Sequence, residues 1–313
     1  MQKKLPGINS SKLKVNIAGI QMDNPVMIAS GVFGFGTEFM EIDGFSNDEI
    51  GAIVLKGTTL NKTYGNPVPR IAETDSGIIN SIGLQNPGID YVLENYIPKL
   101  RGYRTNVILN ISGYSAEEYQ EITKRINNYV KSYEGIHGIE VNISCPNIKE
   151  GGMQFCLDPK MTASVIEKVR KETELPLIVK LSPNVTDIVQ IAKAAVEGGA
   201  DALSLINTVT AMAIDIKTKK PKIGANFGGL SGPAIKPIAI YKVFQTYQYI
   251  SQYVKDKNIP LIGIGGIESA DDIIEFILAG ANAVQIGTST LIYKNRFKKI
   301  IGDLERKVIE GGV

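Results

Sequence analysis

A chain of 313 residues that is 43% hydrophobic and 21% charged has the apolar content of a globular protein, which excludes the polar, highly charged composition of a disordered one. Its 34 Lys and Arg against 32 Asp and Glu leave a net charge of +2, too small a basic field to make nucleic acid an expected partner. Two cysteines and one histidine cannot supply the four soft ligands of a structural zinc site or the four thiolates of an ordinary iron–sulfur cluster, so no metal site of that kind is expected.

The first residues, MQKKLPGINSSKLKVNIAG, carry charge but lack the apolar run of an export signal. No window reaches the roughly 18 uninterrupted apolar residues of a membrane span. With so few cysteines, a reducing cytoplasm is the expected location and no membrane is expected as partner.

Segment 14–25, KVNIAGIQMDNP, predicts a hairpin that could plug one mouth of a barrel. Eight short β-branched apolar runs follow at 26–30, 52–57, 106–113, 139–145, 176–182, 201–208, 260–267 and 283–290. Each has the continuous apolarity of a buried parallel strand. Helical spacing occupies 115–133, 158–173, 186–199, 233–254 and 269–281, with Ser115, Asp158, Thr186 and Ser269 placed to cap. Strand then helix recurs about every 37 residues, which suits a (β/α)8 TIM barrel of about 250 residues with modest insertions. The expectation is an α/β fold in which residues 1–313 form a single barrel domain with an N-terminal hairpin. Long loops follow strand two (58–89) and strand six (209–232). The first contains GIINSIGLQNPGI and the second FGGLSGP, segments that are glycine punctuated and low in charge, and the loops read as active-site loops.

In such a barrel the reactive groups stand at the C-terminal ends of the strands. Those positions hold Ser30, Lys56, Asn110, Asn142 with Cys145, Lys180, Asn207 with Thr208, Gly265 with Gly266, and Gly287 with Thr288. The turns GIGG (263–266) and IGTS (286–289) follow the last two strands, where barrels commonly hold phosphate on backbone N–H groups. The plainer alternative is that these glycines only permit tight turns. Lys56 and Lys180 interrupt apolar strands, where an unpaired ammonium is costly. A ligand role is favoured over a structural ion pair, because the only carboxylate in a comparable strand, Glu140, lies nearer that strand's start. Cys145, in NISCPN, is presented at the rim by the proline that stops its strand, whereas Cys156 in MQFCLDP reads as a small buried hydrophobe. His137 precedes its strand, at the end away from these residues, and reads as structural. A Ser-His-Asp or Cys-His hydrolase would have no base here.

The motifs INSIGLQNPG (79–88), EVNISCPNIKEGGMQF (140–155), VKLSPNVTDI (179–188), NTVTAMAIDI (207–216), GGLSGPAIKP (228–237) and GIGGI (263–267) run in this order over nearly the whole chain. Together they resemble the class 1 dihydroorotate dehydrogenases. GGLSGPAIKP and the CPNIKEGG continuation are similar to the NAD-linked class 1B branch. The resemblance implies an FMN-carrying barrel that oxidises (S)-dihydroorotate to orotate in pyrimidine synthesis. It implies that Asn80, Ser81, Ile82, Gly83 and Leu84 hold the substrate beside Lys56, with Asn142, Asn207 and Thr208 completing its contacts. Cys145 would be the base that takes the C5 proton while the C6 hydride passes to flavin N5. FMN would be cradled by Ser30, Lys56, Gly57, Asn110, Asn142, Lys180, Ile206 and Gly232, with its phosphate on Gly265, Gly266, Gly287 and Thr288. Lys180 would stabilise the anionic reduced ring.

The same resemblance implies that electrons leave for NAD+ through a partner subunit carrying FAD and a [2Fe-2S] cluster, on a heterotetramer built around a homodimer of this chain. The fumarate-linked class 1A homodimer is the alternative within the family. The quinone-linked class uses serine where Cys145 stands and has an N-terminal membrane-associating segment. Outside the family, α-hydroxy-acid oxidases need a histidine base at the end where this chain has none, and phosphate-binding barrel isomerases would need no flavin. A non-catalytic flavin scaffold is the third class.

Overall fold

The computed structural model describes residues 13–38, 46–144, 146–147, 153–254, 258–293 and 296–310. The eight apolar runs become the strands Val26–Ile28, Ala52–Val54, Asn106–Ile111, Gly138–Asn142, Leu177–Leu181, Ala202–Leu205, Leu261–Ile264 and Ala283–Ile286. Each lies parallel to its neighbour in chain order, and the eighth returns to the first in the register Val284↔Val26 to Ile286↔Ile28, closing the barrel. Closure removes every sheet edge.

These strands are apolar on both faces because both faces are buried. Val26, Ile28, Ile53, Leu109, Val141 and Val179 point outward into the helix-side core, while Met27, Ala52, Val54, Ile108, Ile178, Ala202, Ile262 and Ala283 fill the interior. The alternation is the period of two that a strand imposes. The hairpin of Val15–Ile17 and Ile20–Met22 adds Val15, Ile17, Ile20 and Met22 to the interior cluster, and so plugs the N-terminal mouth.

Continuing the same alternation toward the other mouth puts Val54, Glu140, Ser204 and Gln285, from strands two, four, six and eight, in one interior layer. Asn110, Lys180 and Ile264, from strands three, five and seven, stand in the layer above. This is the alternate-strand layering of a packed barrel, with the buried polar residues Asn110, Glu140, Lys180, Ser204 and Gln285 gathered in its upper half.

Ser115 accepts from Glu118 N at the start of helix Ala116–Val130, and Asp158 from Lys160 N and Met161 N at the start of helix Pro159–Glu172. Ser269 and Asp272 form a reciprocal capping box on helix Ala270–Leu278. The Thr186 cap is corrected. Helix Ile188–Glu197 begins one residue later than its apolar spacing suggests, and the Asp187 carboxylate accepts from Val189 N. The sequence reading also missed helices Ile89–Asn95, Ile97–Leu100 and Arg296–Ile309; the last packs Phe297, Ile300 and Leu304 against the barrel.

The two long insertions are not simple loops. Ile71–Thr74 and Gly77–Asn80 from the first pair with Gly228–Ser231 and Val209–Ala211 from the second, forming a four-stranded antiparallel sheet. Their glycines permit close approach. A Cβ on Gly77 would lie 2.0 Å from the Ser231 carbonyl oxygen, and one on Gly229 would lie 1.9 Å from Thr208 Oγ1. Among the described residues no helix is long and apolar enough to cross a membrane.

Candidate active site

Two adjoining cavities open between the C-terminal strand ends and this covering sheet, of about 590 and about 270 Å³, the size range of small-molecule sites. They share Ser30, Gly31, Asn80, Ile82, Asn207 and Thr208. Lys56, Gly57, Asn110 and Asn142 bring strand ends two, three and four to the larger one, which Ser81, Gly83 and Leu84 close from the insertion. Lys180, Ile206, Gly232, Gly265, Gly266, Gly287 and Thr288 line the smaller one. Strand ends and insertions thus bring every site residue named from the sequence to one continuous lining, except Cys145. Cys145 lies outside the described residues. Its neighbours Asn142 and Ser144 line the larger cavity, and Pro146–Asn147 pairs with Met153–Gln154.

The polar groups hold one another in place. Tyr119 Oη donates to the Asn142 carbonyl at 2.6 Å, and Asn142 Oδ1 accepts from Ser144 N at 3.2 Å and Asn207 Nδ2 at 3.3 Å. Ser30 Oγ donates to the Leu55 carbonyl at 2.9 Å. Lys56 is half-buried, and burial holds its ammonium below the ordinary lysine value; Glu38 opposes that shift and Arg70 adds to it. His137 stands at the opposite mouth. There Val107 N donates to His137 Nδ1 at 3.0 Å, and burial lowers the pKa of this histidine.

Lys180 corrects a sequence inference. Its Nζ lies 3.6 Å from Glu140 Oε1, the two side chains being 8% and 0% exposed, so the structural ion pair that had been set aside is present. Glu140 lies one pleat lower on the neighbouring strand, because Lys180 is in register with Asn142 and Ile178 with Glu140. A lysine side chain spans that step easily, and Lys180 still lines the smaller cavity.

Arg70 and Asn184 are among the lining residues that sequence reasoning missed. Arg70 reaches the larger cavity with its guanidinium fixed by neutral acceptors, the Asn66 carbonyl at 2.6 Å, Gln85 Oε1 at 2.6 Å and the Tyr64 carbonyl at 3.0 Å. Its signal was a cation inside an insertion otherwise poor in charge. Asn184, in the SPN turn after strand five, donates to the Thr208 carbonyl at 2.9 Å and accepts from Thr210 N at 2.9 Å, tying the second insertion to the barrel rim.

The lining fits a planar, hydrogen-bonding ring that ends in a phosphate. Asn110 Oδ1 is buried without a protein partner, an acceptor waiting for a ligand donor. Ala29, Val32, Ile235 and Ile267 make the walls of the smaller cavity apolar. At its far end Gly265 and Gly266 have φ of +131° and +71°, and, its chain neighbours aside, a Cβ built on Gly287 would meet only Ala29 Cβ, at 3.6 Å, among the described residues. Bare backbone therefore borders the space where a phosphate would sit.

A family model described as dihydroorotate dehydrogenase matches residues 12–308. The protein of Desulforamulus reducens named dihydroorotate dehydrogenase B (NAD(+)), catalytic subunit, is 50% identical over 301 residues, 96% of this chain and 95% of that protein. Proteins of the same name are 51% identical over 280 residues in Caldicellulosiruptor bescii, covering 90% and 88% of the two chains, and 46% identical over 302 residues in Malacoplasma penetrans, covering 96% and 94%.

Proposed function

The chain belongs to the dihydroorotate dehydrogenase family, and from that premise we propose that it is the catalytic subunit of an NAD+-linked enzyme oxidising (S)-dihydroorotate to orotate in pyrimidine synthesis. The observation that carries this reading is the pair of adjoining cavities on which Lys56, Lys180, the asparagines Asn80, Asn110, Asn142 and Asn207 and two glycine turns converge, in a chain about half identical to proteins of that name. The family is flavin-dependent, and the cofactor of this reading is FMN. When bound, the flavin supplies the hydride acceptor.

The protein's own residues do the rest. The Lys56 ammonium meets the substrate carboxylate, while Asn80 to Leu84 fold over the ring and the amides of Asn142 and Asn207 meet its polar edge, with Thr208 beside them. Cys145, as thiolate, takes the C5 proton; an unperturbed thiol with pKa near 8.5 supplies that form readily in mildly alkaline solution. Ser30, Gly57, Asn110, Lys180, Ile206 and Gly232 would hold the ring system and its chain, and Gly265, Gly266, Gly287 and Thr288 would hold the phosphate. The covering sheet keeps water from the reacting carbons.

The name catalytic subunit, carried by the relatives, implies a second subunit. In this reading that partner carries FAD and a [2Fe-2S] cluster, and the complex is a heterotetramer built on a homodimer of this single-domain, cytoplasmic chain. Purified alone, the chain should reduce an artificial dye with dihydroorotate yet fail to reduce NAD+, and the co-expressed partner should restore NAD+ reduction. Rapid NAD+ reduction by the chain alone, or fumarate reduction at a rate comparable to dye, would overturn the branch. No reduction of any acceptor would overturn the reading.

A further inference from the structure

Glu140 is fully buried in the middle layer of the barrel, where an apolar residue of similar volume would ordinarily serve stability as well or better. Its oxygens are nevertheless fully engaged. Oε1 accepts from Asn110 Nδ2 at 2.7 Å and faces Lys180 Nζ at 3.6 Å, while Oε2 accepts from Ser204 Oγ at 2.9 Å and Gln285 Nε2 at 2.7 Å. Four other strands thus converge on one carboxylate. Two of its partners, Asn110 and Lys180, line the cavities, and the other two lie beneath them.

We propose that Glu140 is a positioning residue that sets the polarity and charge of the cofactor floor, an inference that rests on the flavin reading above. Its first effect is orientational. With Nδ2 committed to the carboxylate, Asn110 presents Oδ1 as the free acceptor, and the flipped amide would turn an oxygen against an anion. Its second effect is electrostatic. Lys180 alone would place a full positive charge at the floor, whereas the pair with Glu140 is close to neutral. A full charge would hold the reduced, anionic ring tightly; a neutral pair leaves reduced flavin a good enough donor to pass electrons toward an acceptor as weakly oxidising as NAD+.

The isosteric Glu140→Gln isolates the charge. Its oxygen can keep the bond to Asn110, and its NH2 can face Gln285, whose Oε1 has no partner and can turn to accept. Flavin-stripped wild type and variant are titrated anaerobically with oxidised and with reduced FMN. In the variant, reduced FMN should gain at least tenfold over oxidised FMN, a midpoint rise of about 30 mV for a two-electron couple. Glu140→Asp, which keeps the charge, should move the ratio less. An unchanged ratio, or one that moves the other way, in a variant that binds FMN would overturn the proposal and leave the flavin reading standing. Wild type that binds no FMN would end both. Should Glu140→Gln fail to fold, the wild-type infrared difference spectrum between oxidised and reduced protein decides. Reduction must displace a buried carboxylate stretch that does not shift in D2O, and its absence overturns the proposal.

Discussion

Gly266→Ala tests the phosphate placement most directly, because the structure gives its cost. Gly266 has φ +71°, and a left-handed conformation costs an L residue about 1–2 kcal/mol. The added Cβ would also lie 2.7 Å from Lys236 Cβ, 2.9 Å from the Gly232 carbonyl oxygen and 3.0 Å from Lys236 N. Two of these are backbone atoms that no side-chain rotation moves, and overpacking of that kind costs about 1–3 kcal/mol. The sum, about 2–5 kcal/mol, is tolerable against a typical stability of about 5–15 kcal/mol, so the variant should fold with a lower Tm. Relief comes by pushing the 265–267 turn away from Gly232, which displaces the amides from the phosphate. If one-third to two-thirds of the strain is relieved that way and must be restored on binding, FMN affinity falls about threefold to two-hundredfold at roughly 1.4 kcal/mol per decade. The assay is fluorescence titration of flavin-stripped protein beside a thermal melt. Gly19→Ala is the control: its φ is +96° with nothing within 4 Å of the new Cβ, at the opposite mouth, so it should lower Tm and leave FMN affinity alone. A Gly266→Ala protein that binds FMN as tightly as wild type would refute the placement.

Cys145→Ala should keep FMN but slow flavin reduction by dihydroorotate about a hundredfold or more, the scale of a positioned general base; stopped-flow reduction at wild-type rate would move the base elsewhere. Cys145→Ser should shift the alkaline limb of the reductive rate upward, and an unmoved profile contradicts the assignment. For Lys56, burial lowers the pKa from 10.5, so the charged form that binds a carboxylate is complete at low pH and is lost as pH rises through a value below that of an ordinary lysine. kcat/KM for dihydroorotate, which reports free-enzyme groups, should therefore fall in that window, and Lys56→Met should lose the fall together with most of the affinity. Ser269→Ala removes the capping box of helix Ala270–Leu278 and should cost about 1 kcal/mol, seen as a Tm lower by a few degrees; an unmoved Tm would show the cap to be redundant.

The barrel was legible because strands buried on both faces need continuous apolar runs, and such runs can be read without knowing their partners. The covering sheet was not. Its strands pair Gly229 with Asn80 and Leu230 with Ile79, across about 150 residues of chain, and its glycines carry no alternation to betray a strand. The strand-end residues were legible because a barrel assigns chemistry to that rim before any side chain is seen. Arg70 escaped because its place at the rim depends on how the first insertion folds back, and Asn184 because the partners that fix it, Thr208 and Thr210, lie where the second insertion begins. The Lys180–Glu140 pair escaped for a subtler reason: position along a strand was compared without the register. Once strands four and five are aligned through Val179↔Val141, the carboxylate falls one step beneath the ammonium.

That register also explains how a polar layer can be tolerated at all. The plug and the lower interior share an apolar cluster that runs from Val15 and Met22 to Ile178 and Ala283, and the strands' outward faces join the larger core with the helices. Those two regions can hold the barrel closed without help from the layer containing Glu140, Ser204 and Gln285. A buried carboxylate there is expensive only if its acceptors are left empty, and three donors with one ammonium prevent that. Removing a donor should therefore cost stability and leave the charge of the floor unchanged, whereas removing the charge leaves the Lys180 ammonium without its buried partner and changes the cavity above it. Separating those two effects, with Ser204→Ala for the first and Glu140→Gln for the second, distinguishes a carboxylate kept for packing from one kept for the chemistry of the floor.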